Sequence, residues 1–135
     1  MLSKHKNLLT ATHCDELLSE FTKEEFEKYW THINSQLTED FELIYVRILK
    51  YTKGCEVEVH QDVYAQFVQE TGDTSMIIAL TDQDVYEGGE SIVMNRSLKQ
   101  KKGDSIYYSY DTMHGVTPVT KGIRYVVNLR LKSVK

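Results

Sequence analysis

The chain has one proline, two cysteines and one tryptophan in 135 residues. So little proline, beside 41% hydrophobic and 27% charged residues, excludes a proline-rich or low-complexity tract and describes a chain able to bury a core. Two cysteines, Cys14 and Cys55, are too few for a disulfide framework. Neither has the Cys-x-x-Cys spacing of a zinc ribbon or redox pair, so free thiols in a reducing compartment are expected. No apolar run approaches transmembrane length, and residues 1–10 lack the apolar stretch of a secretory signal. A cytoplasmic protein with no membrane partner is therefore expected. An excess of positive charge is also missing: 16 Lys and Arg stand against 20 Asp and Glu, a net charge of −4, which disfavours nucleic acid as a partner without excluding it. The length implies one domain over 1–135 and leaves the oligomeric state open.

What is present divides near residue 40. Thr22-Lys23-Glu24-Glu25 has the form of a capping box, and Phe26, Tyr29, Trp30, Ile33 and Leu37 follow at helical spacing as one apolar stripe. A shorter helix is expected over about Asp15 to Phe21, with Leu17, Leu18 and Phe21 facing the core, so that the helices occupy about 13–38. From Phe41 the period changes to two. Segments 41–51, 56–64, 75–81, 91–95, 105–110 and 123–132 are short, rich in Val, Ile and Tyr, and separated by turn residues with no helices between them. They predict an antiparallel sandwich or barrel over about 41–132, with the helices covering one outer face.

Two His-x-Asp triplets occur. In His13-Cys14-Asp15, ahead of the first expected helix, Asp15 is explained as a cap or first-turn acid. In His60-Gln61-Asp62, strand geometry puts His60 and Asp62 on one face, where two ligands can converge on a metal. The same residues could equally be the solvated face of an edge strand, along with Glu56 and Glu58. A second histidine, His114, ends another segment, and Arg124 opens the last strand ten residues later. Two histidines and one carboxylate on a β scaffold form the facial triad of non-haem Fe(II), and an arginine suits the carboxylate of an anionic co-substrate.

The landmarks Tyr51, His60-Gln61-Asp62, Met76-Ile77-Ile78-Ala79-Leu80, Gly88-Gly89-Glu90-Ser91, Gly103-Asp104, His114-Gly115-Val116-Thr117-Pro118-Val119 and Gly122-Ile123-Arg124 occur in this order. Together they resemble the Fe(II)- and 2-oxoglutarate-dependent dioxygenases, the prolyl 4-hydroxylase type above all, over about residues 44–131. The resemblance implies a double-stranded β-helix, a jelly-roll of the cupin kind, with helices packed on one sheet. It implies that His60, Asp62 and His114 hold Fe(II), that Arg124 and Tyr51 bind the distal carboxylate of 2-oxoglutarate with Ser75 assisting, and that O2 is consumed, with ascorbate as a reductant. The implied reaction is hydroxylation, most simply of a prolyl residue in a peptide or protein, although a small molecule is also open. Retention of the carboxylate Asp62 favours hydroxylation over halogenation.

Two other functions remain open at this point: oxidation or demethylation of a nucleic-acid base, and a non-catalytic jelly-roll that binds metal or a partner. Arginine pairs spaced like Arg124 and Arg130 occur in the base-demethylating branch, but the ten residues from His114 to Arg124 resemble the prolyl hydroxylase pattern. Arg130 is expected to be structural or superficial, lining the pocket or pairing with an acid only as the lesser reading. Tyr107, Tyr108 and Tyr110 are expected as strand aromatics, and Lys99-Gln100-Lys101-Lys102 as a solvated turn. Residues 63–73 and 82–87 are expected to be loops that set specificity, with 66–73 closing over substrate.

Overall fold

Phe41–Tyr51 is rich in Ile, Leu, Val and aromatic residues over eleven positions and forms one uninterrupted strand. It pairs along its length with Arg124–Ser133, the last strand. The computed structural model describes residues 2–62 and 68–134. In chain order the elements are β1 (Leu2–His5), α1 (Ala11–Ser19), α2 (Lys23–Ser35), β2 (Phe41–Tyr51), β3 (Val57–His60), α3 (Val68–Thr71), β4 (Thr74–Ala79), β5 (Tyr86–Gly88), β6 (Ser91–Val93), β7 (Arg96–Leu98), β8 (Ser105–Ser109), β9 (His114–Val116), β10 (Val119–Gly122) and β11 (Arg124–Ser133).

The strands make a five-stranded sheet in the order β1-β8-β4-β11-β2, a four-stranded sheet in the order β3-β9-β6-β7, and the pair β10-β5. Every strand pairing among the described residues is antiparallel. This is the double-stranded β-helix expected, with the helices on one face of the larger sheet. On that face Met76 and Ile78 of β4 and Val127, Leu129 and Leu131 of β11 pack with Cys14, Leu17, Phe26 and Ile33 of the helices. Burying each of the larger side chains contributes on the order of 1.5–3 kcal/mol. The intervening residues of the same strands face the smaller sheet, where Ile77, Ile106, Tyr108 and Val93 form a second cluster.

Several sequence expectations need correction. The first helix starts at Ala11, with Thr10 as its cap: Thr10 Oγ1 accepts from the His13 amide at 3.1 Å, and His13 Nδ1 accepts from the Thr10 amide at 3.3 Å. Histidine thus takes the place of the usual glutamate, which is why the cap is not legible as a motif. Asp15 consequently lies inside the helix, where it pairs with Lys102, and Phe21 lies beyond its end while still packing on the core. Thr22 does cap α2, accepting from the Glu25 amide at 3.0 Å, but the Glu25 carboxylate pairs with Lys28 rather than reaching back. The β structure begins before the helices, since β1 adds to β8. Gln100 is 4% exposed rather than solvated. Residues 63–67, the first part of the expected specificity loop and the start of its closing segment 66–73, lie outside the described residues. Its C-terminal end is α3 followed by Asp73, whose carboxylate accepts from the Ser133 amide at 3.1 Å.

Two neighbouring strands of the smaller sheet, β3 and β9, meet closely at one glycine. A Cβ on Gly115 would lie 2.6 Å from the Val57 carbonyl oxygen and 3.0 Å from the Val59 amide nitrogen, so β9 can approach the irregular part of β3 only without a side chain there. Because β3 ends in His60 and β9 begins with His114, Gly115→Ala is expected to cost about 1–3 kcal/mol of stability. It should also weaken divalent-metal binding, as thermal unfolding with and without metal would show.

Candidate active site

The His60 register partner on β9 is His114, so two imidazoles face each other with ring centroids 4.6 Å apart. Asp62, just past the end of β3, completes the group. Its Oδ1 lies 3.3 Å from His60 Nε2 and 3.0 Å from His114 Nε2, and one ligand atom from each residue falls within 4.8 Å of the others. His60 Nδ1 is 2.7 Å from the Glu58 carbonyl oxygen, and His114 Nδ1 is 2.8 Å from that of Thr112. A carbonyl only accepts, so both rings carry their proton on Nδ1 when neutral and turn Nε2 to the shared point, the tautomer a metal-ligating histidine needs.

The second oxygen of Asp62 is held from behind. Oδ2 accepts a short hydrogen bond from Ser75 and pairs with Arg130 Nη1 at 2.9 Å. Arg130 Nη1 also donates to Ser75 Oγ at 2.6 Å, and Nε donates to the Thr71 carbonyl at 3.1 Å. Burial alone would raise the Asp62 pKa; hydrogen bonds from His114 and Ser75, with the charges of His114 and Arg130, outweigh it and hold the carboxyl well below the usual range. Burial would lower the His114 pKa, but its bonds to Asp62 and the Thr112 carbonyl raise it. The result is an anionic ligand with one oxygen committed to protein and one turned to the histidines. That donor set fits a divalent cation on one face and leaves the opposite face open.

A cavity of about 370 Å³ extends from the triad to Arg124. Arg124 is 2% exposed. Nη1 donates to the Gly89 carbonyl at 2.8 Å, Nη2 donates to Ser91 Oγ at 2.9 Å and to Gln100 Oε1 at 3.2 Å, and Nε has no partner. Among the described residues no carboxylate pairs with it, so a buried cation is held by neutral acceptors alone. An uncompensated buried charge is costly, and a dicarboxylate reaching from the metal to Arg124 supplies the missing anion. Tyr51, its ladder partner, has its ring centroid 5.6 Å from the guanidinium carbon. Burial raises the Tyr51 pKa, with the Arg124 charge opposing, so the hydroxyl remains a donor. These residues fit 2-oxoglutarate.

His60, Asp62 and His114 are therefore brought together, as are Tyr51 and Arg124. Ser75 is not with the latter pair: its register partner is Arg130, and it steadies Asp62 instead of a co-substrate carboxylate. Arg130 takes the lesser of its two expected readings, since it pairs with an acid, Asp62 of the triad. Tyr108 lines the cavity with its ring 4.6 Å from that of His114. Gly89, Ser91 and Gln100, the Arg124 cradle, were not singled out as site residues. The Gly-Gly-Glu-Ser run carried a faint signal for two of them, and a glutamine among lysines carried none.

His60→Ala and His114→Ala are each expected to abolish tight Fe(II) or Co(II) binding, read by titration calorimetry or Co(II) absorption. Without metal, Asp62 contributes stability that is present above the ordinary carboxylate pKa and lost as pH falls through its lowered value. The His114 contribution is present below the ordinary imidazole pKa and lost as pH rises through its raised value. Stability of the chelator-treated protein should therefore peak between about pH 4 and pH 6.5. Asp62→Asn should flatten both sides in a thermal-unfolding series.

Comparison with known proteins agrees with this geometry. The family model described as the 2OG-Fe(II) oxygenase superfamily matches residues 46–131. A PKHD-type hydroxylase of Saccharophagus degradans is 39% identical over 66 residues, which are 46% of this chain and 29% of that protein. The chain thus spans well under half the length of such relatives. Among solved structures, the viral collagen prolyl hydroxylase of Paramecium bursaria Chlorella virus-1, in complex with 2-oxoglutarate, superposes with TM-score 0.68 at 16% identity, covering 99% of this chain and 96% of that one. A prolyl-4-hydroxylase of Pseudomonas putida gives TM-score 0.67 at 15% identity, covering 99% and 88%. Such identities speak to the fold, whereas the family match covers most of the β core and both ends of the cavity; the chain belongs to the 2-oxoglutarate- and Fe(II)-dependent oxygenase superfamily.

Proposed function

We propose that the protein hydroxylates a prolyl residue of a peptide or protein substrate, coupled to decarboxylation of 2-oxoglutarate to succinate and CO2. The observation that carries the proposal is a cavity with a two-histidine, one-carboxylate triad at one end and, at the other, a buried arginine that no carboxylate among the described residues pairs with. The names of the relatives, PKHD-type and prolyl hydroxylases, favour a prolyl target over other carbon centres.

In this reading His60 Nε2, His114 Nε2 and Asp62 Oδ1 hold Fe(II), which when bound supplies the oxidising power with O2. Ser75 and Arg130 keep Asp62 Oδ2 engaged, so the carboxylate presents one oxygen to the metal. Arg124 and the Tyr51 hydroxyl orient 2-oxoglutarate by its distal carboxylate. Ile77, Val93, Ile106 and Val126 line the space between and keep water from a reactive centre. Ascorbate would serve as the reductant. A cytoplasmic location is part of the same proposal, supported by the free thiols of Cys14 and Cys55.

Succinate release from 2-oxoglutarate should require Fe(II) and be enhanced by proline-containing peptides. Arg124→Gln should raise the KM for 2-oxoglutarate by about 30-fold or more, as expected when a buried charge pair worth roughly 2–5 kcal/mol is broken. Succinate release that persists in His60→Ala would sink the proposal.

A further inference from the structure

Arg47 has no part in the machinery described above. On β2, Val46 and Ile48 pack against the helix-side core, so strand alternation turns Arg47 and Leu49 to the other face. Both line the cavity that contains the triad and Arg124. The ladder partner of Arg47 on β11 is Asn128, two positions from Arg130. Asn128 is only 9% exposed, and its Oδ1 accepts from Arg47 Nε at 3.3 Å. The guanidinium carbon stands 5.8 Å from the centroid of the Tyr45 ring, and Tyr45 is 49% exposed.

This guanidinium is held from one side and against a ring face, which reduces the entropy lost on binding. It also lacks an anion: the ion pairs among the described residues use Lys28, His60, Lys102, His114 and Arg130 as their cations. The described hydrogen bond occupies Nε and leaves the Nη edge, the prongs that receive a carboxylate in bidentate fashion. Arg124, which also has no acidic partner among the described residues, is fully buried and suited to the co-substrate, whereas Arg47 is exposed.

The geometry points to Arg47 as the residue that receives a carboxylate of the primary substrate, so that the preferred substrate is an acidic peptide with Asp or Glu beside the target residue. This rests on the prolyl hydroxylation proposed above. A polyanion is disfavoured by the net charge of −4 and by Glu56 on the same cavity lining; Lys50 is the one further cation there.

The test uses the full chain loaded with Mn(II) and 2-oxoglutarate and three blocked five-residue peptides with a central proline flanked by glutamate, glutamine or lysine. Binding is measured by calorimetry for wild type, Arg47→Gln and Arg47→Glu. Wild type should bind the glutamate peptide about tenfold more tightly than the glutamine peptide. The difference should vanish in Arg47→Gln, and Arg47→Glu should reverse it in favour of lysine, a gain that an unfolded variant cannot show. Equal affinity for all three peptides, binding of none, a glutamate preference that survives in Arg47→Glu, or displacement of the glutamate peptide by a single-stranded oligonucleotide would each overturn the inference. Fe(II)-dependent succinate release by the wild type, assayed without peptide, separates failure of this inference from failure of the proposed activity.

Discussion

Strand β11 is gripped on both edges, by β2 along its whole length and by β4 over residues 126–131, and the rest of the molecule depends on that double pairing. Period-two geometry then divides its side chains without further instruction. Val127, Leu129 and Leu131 anchor the helices, while Arg124, Val126 and Asn128 line the cavity and Arg130 holds Asp62. A slip of one residue would exchange the two sets, placing three arginine or asparagine side chains in an apolar core. Register and chemistry are therefore selected by the same constraint.

The charges along this strand show how a small barrel arranges polar groups at low cost. Arg130 is neutralised by Asp62, and Asp62 in turn is shared with two histidines, so each ionised group near the triad has a partner at hydrogen-bond distance. At the other end, Arg124 spreads its charge over a carbonyl, a hydroxyl and an amide oxygen. Neutral acceptors hold a guanidinium in place without satisfying it, which keeps the site selective for an anion.

The long elements were legible because they repeat a pattern often enough to declare it. Eleven residues rich in Ile, Leu, Val and aromatics mark β2, and four apolar residues at helical spacing, Phe26, Tyr29, Trp30 and Ile33, mark α2. Strands β5, β7, β9 and β10 have three or four residues each, too few to show a period, and only their pairing partners make them strands. The triad was legible because His60 ends one strand with Asp62 two residues on, and His114 begins another. Ser75 was assigned to the wrong neighbour because its environment is decided by register, opposite Arg130 rather than Arg124, and register is not written in local sequence. The Arg124 cradle was hidden for a related reason: a backbone carbonyl, a serine and a glutamine carry no charge pattern to betray them.

The orphaned Nε of Arg124 has a thermodynamic reach beyond orientation. A cation buried without its anion taxes the folded state, and a dicarboxylate that binds only the folded chain removes that tax by mass action. Folding and co-substrate binding are thereby linked, so the resistance of the protein to unfolding and proteolysis rises and falls with the supply of 2-oxoglutarate.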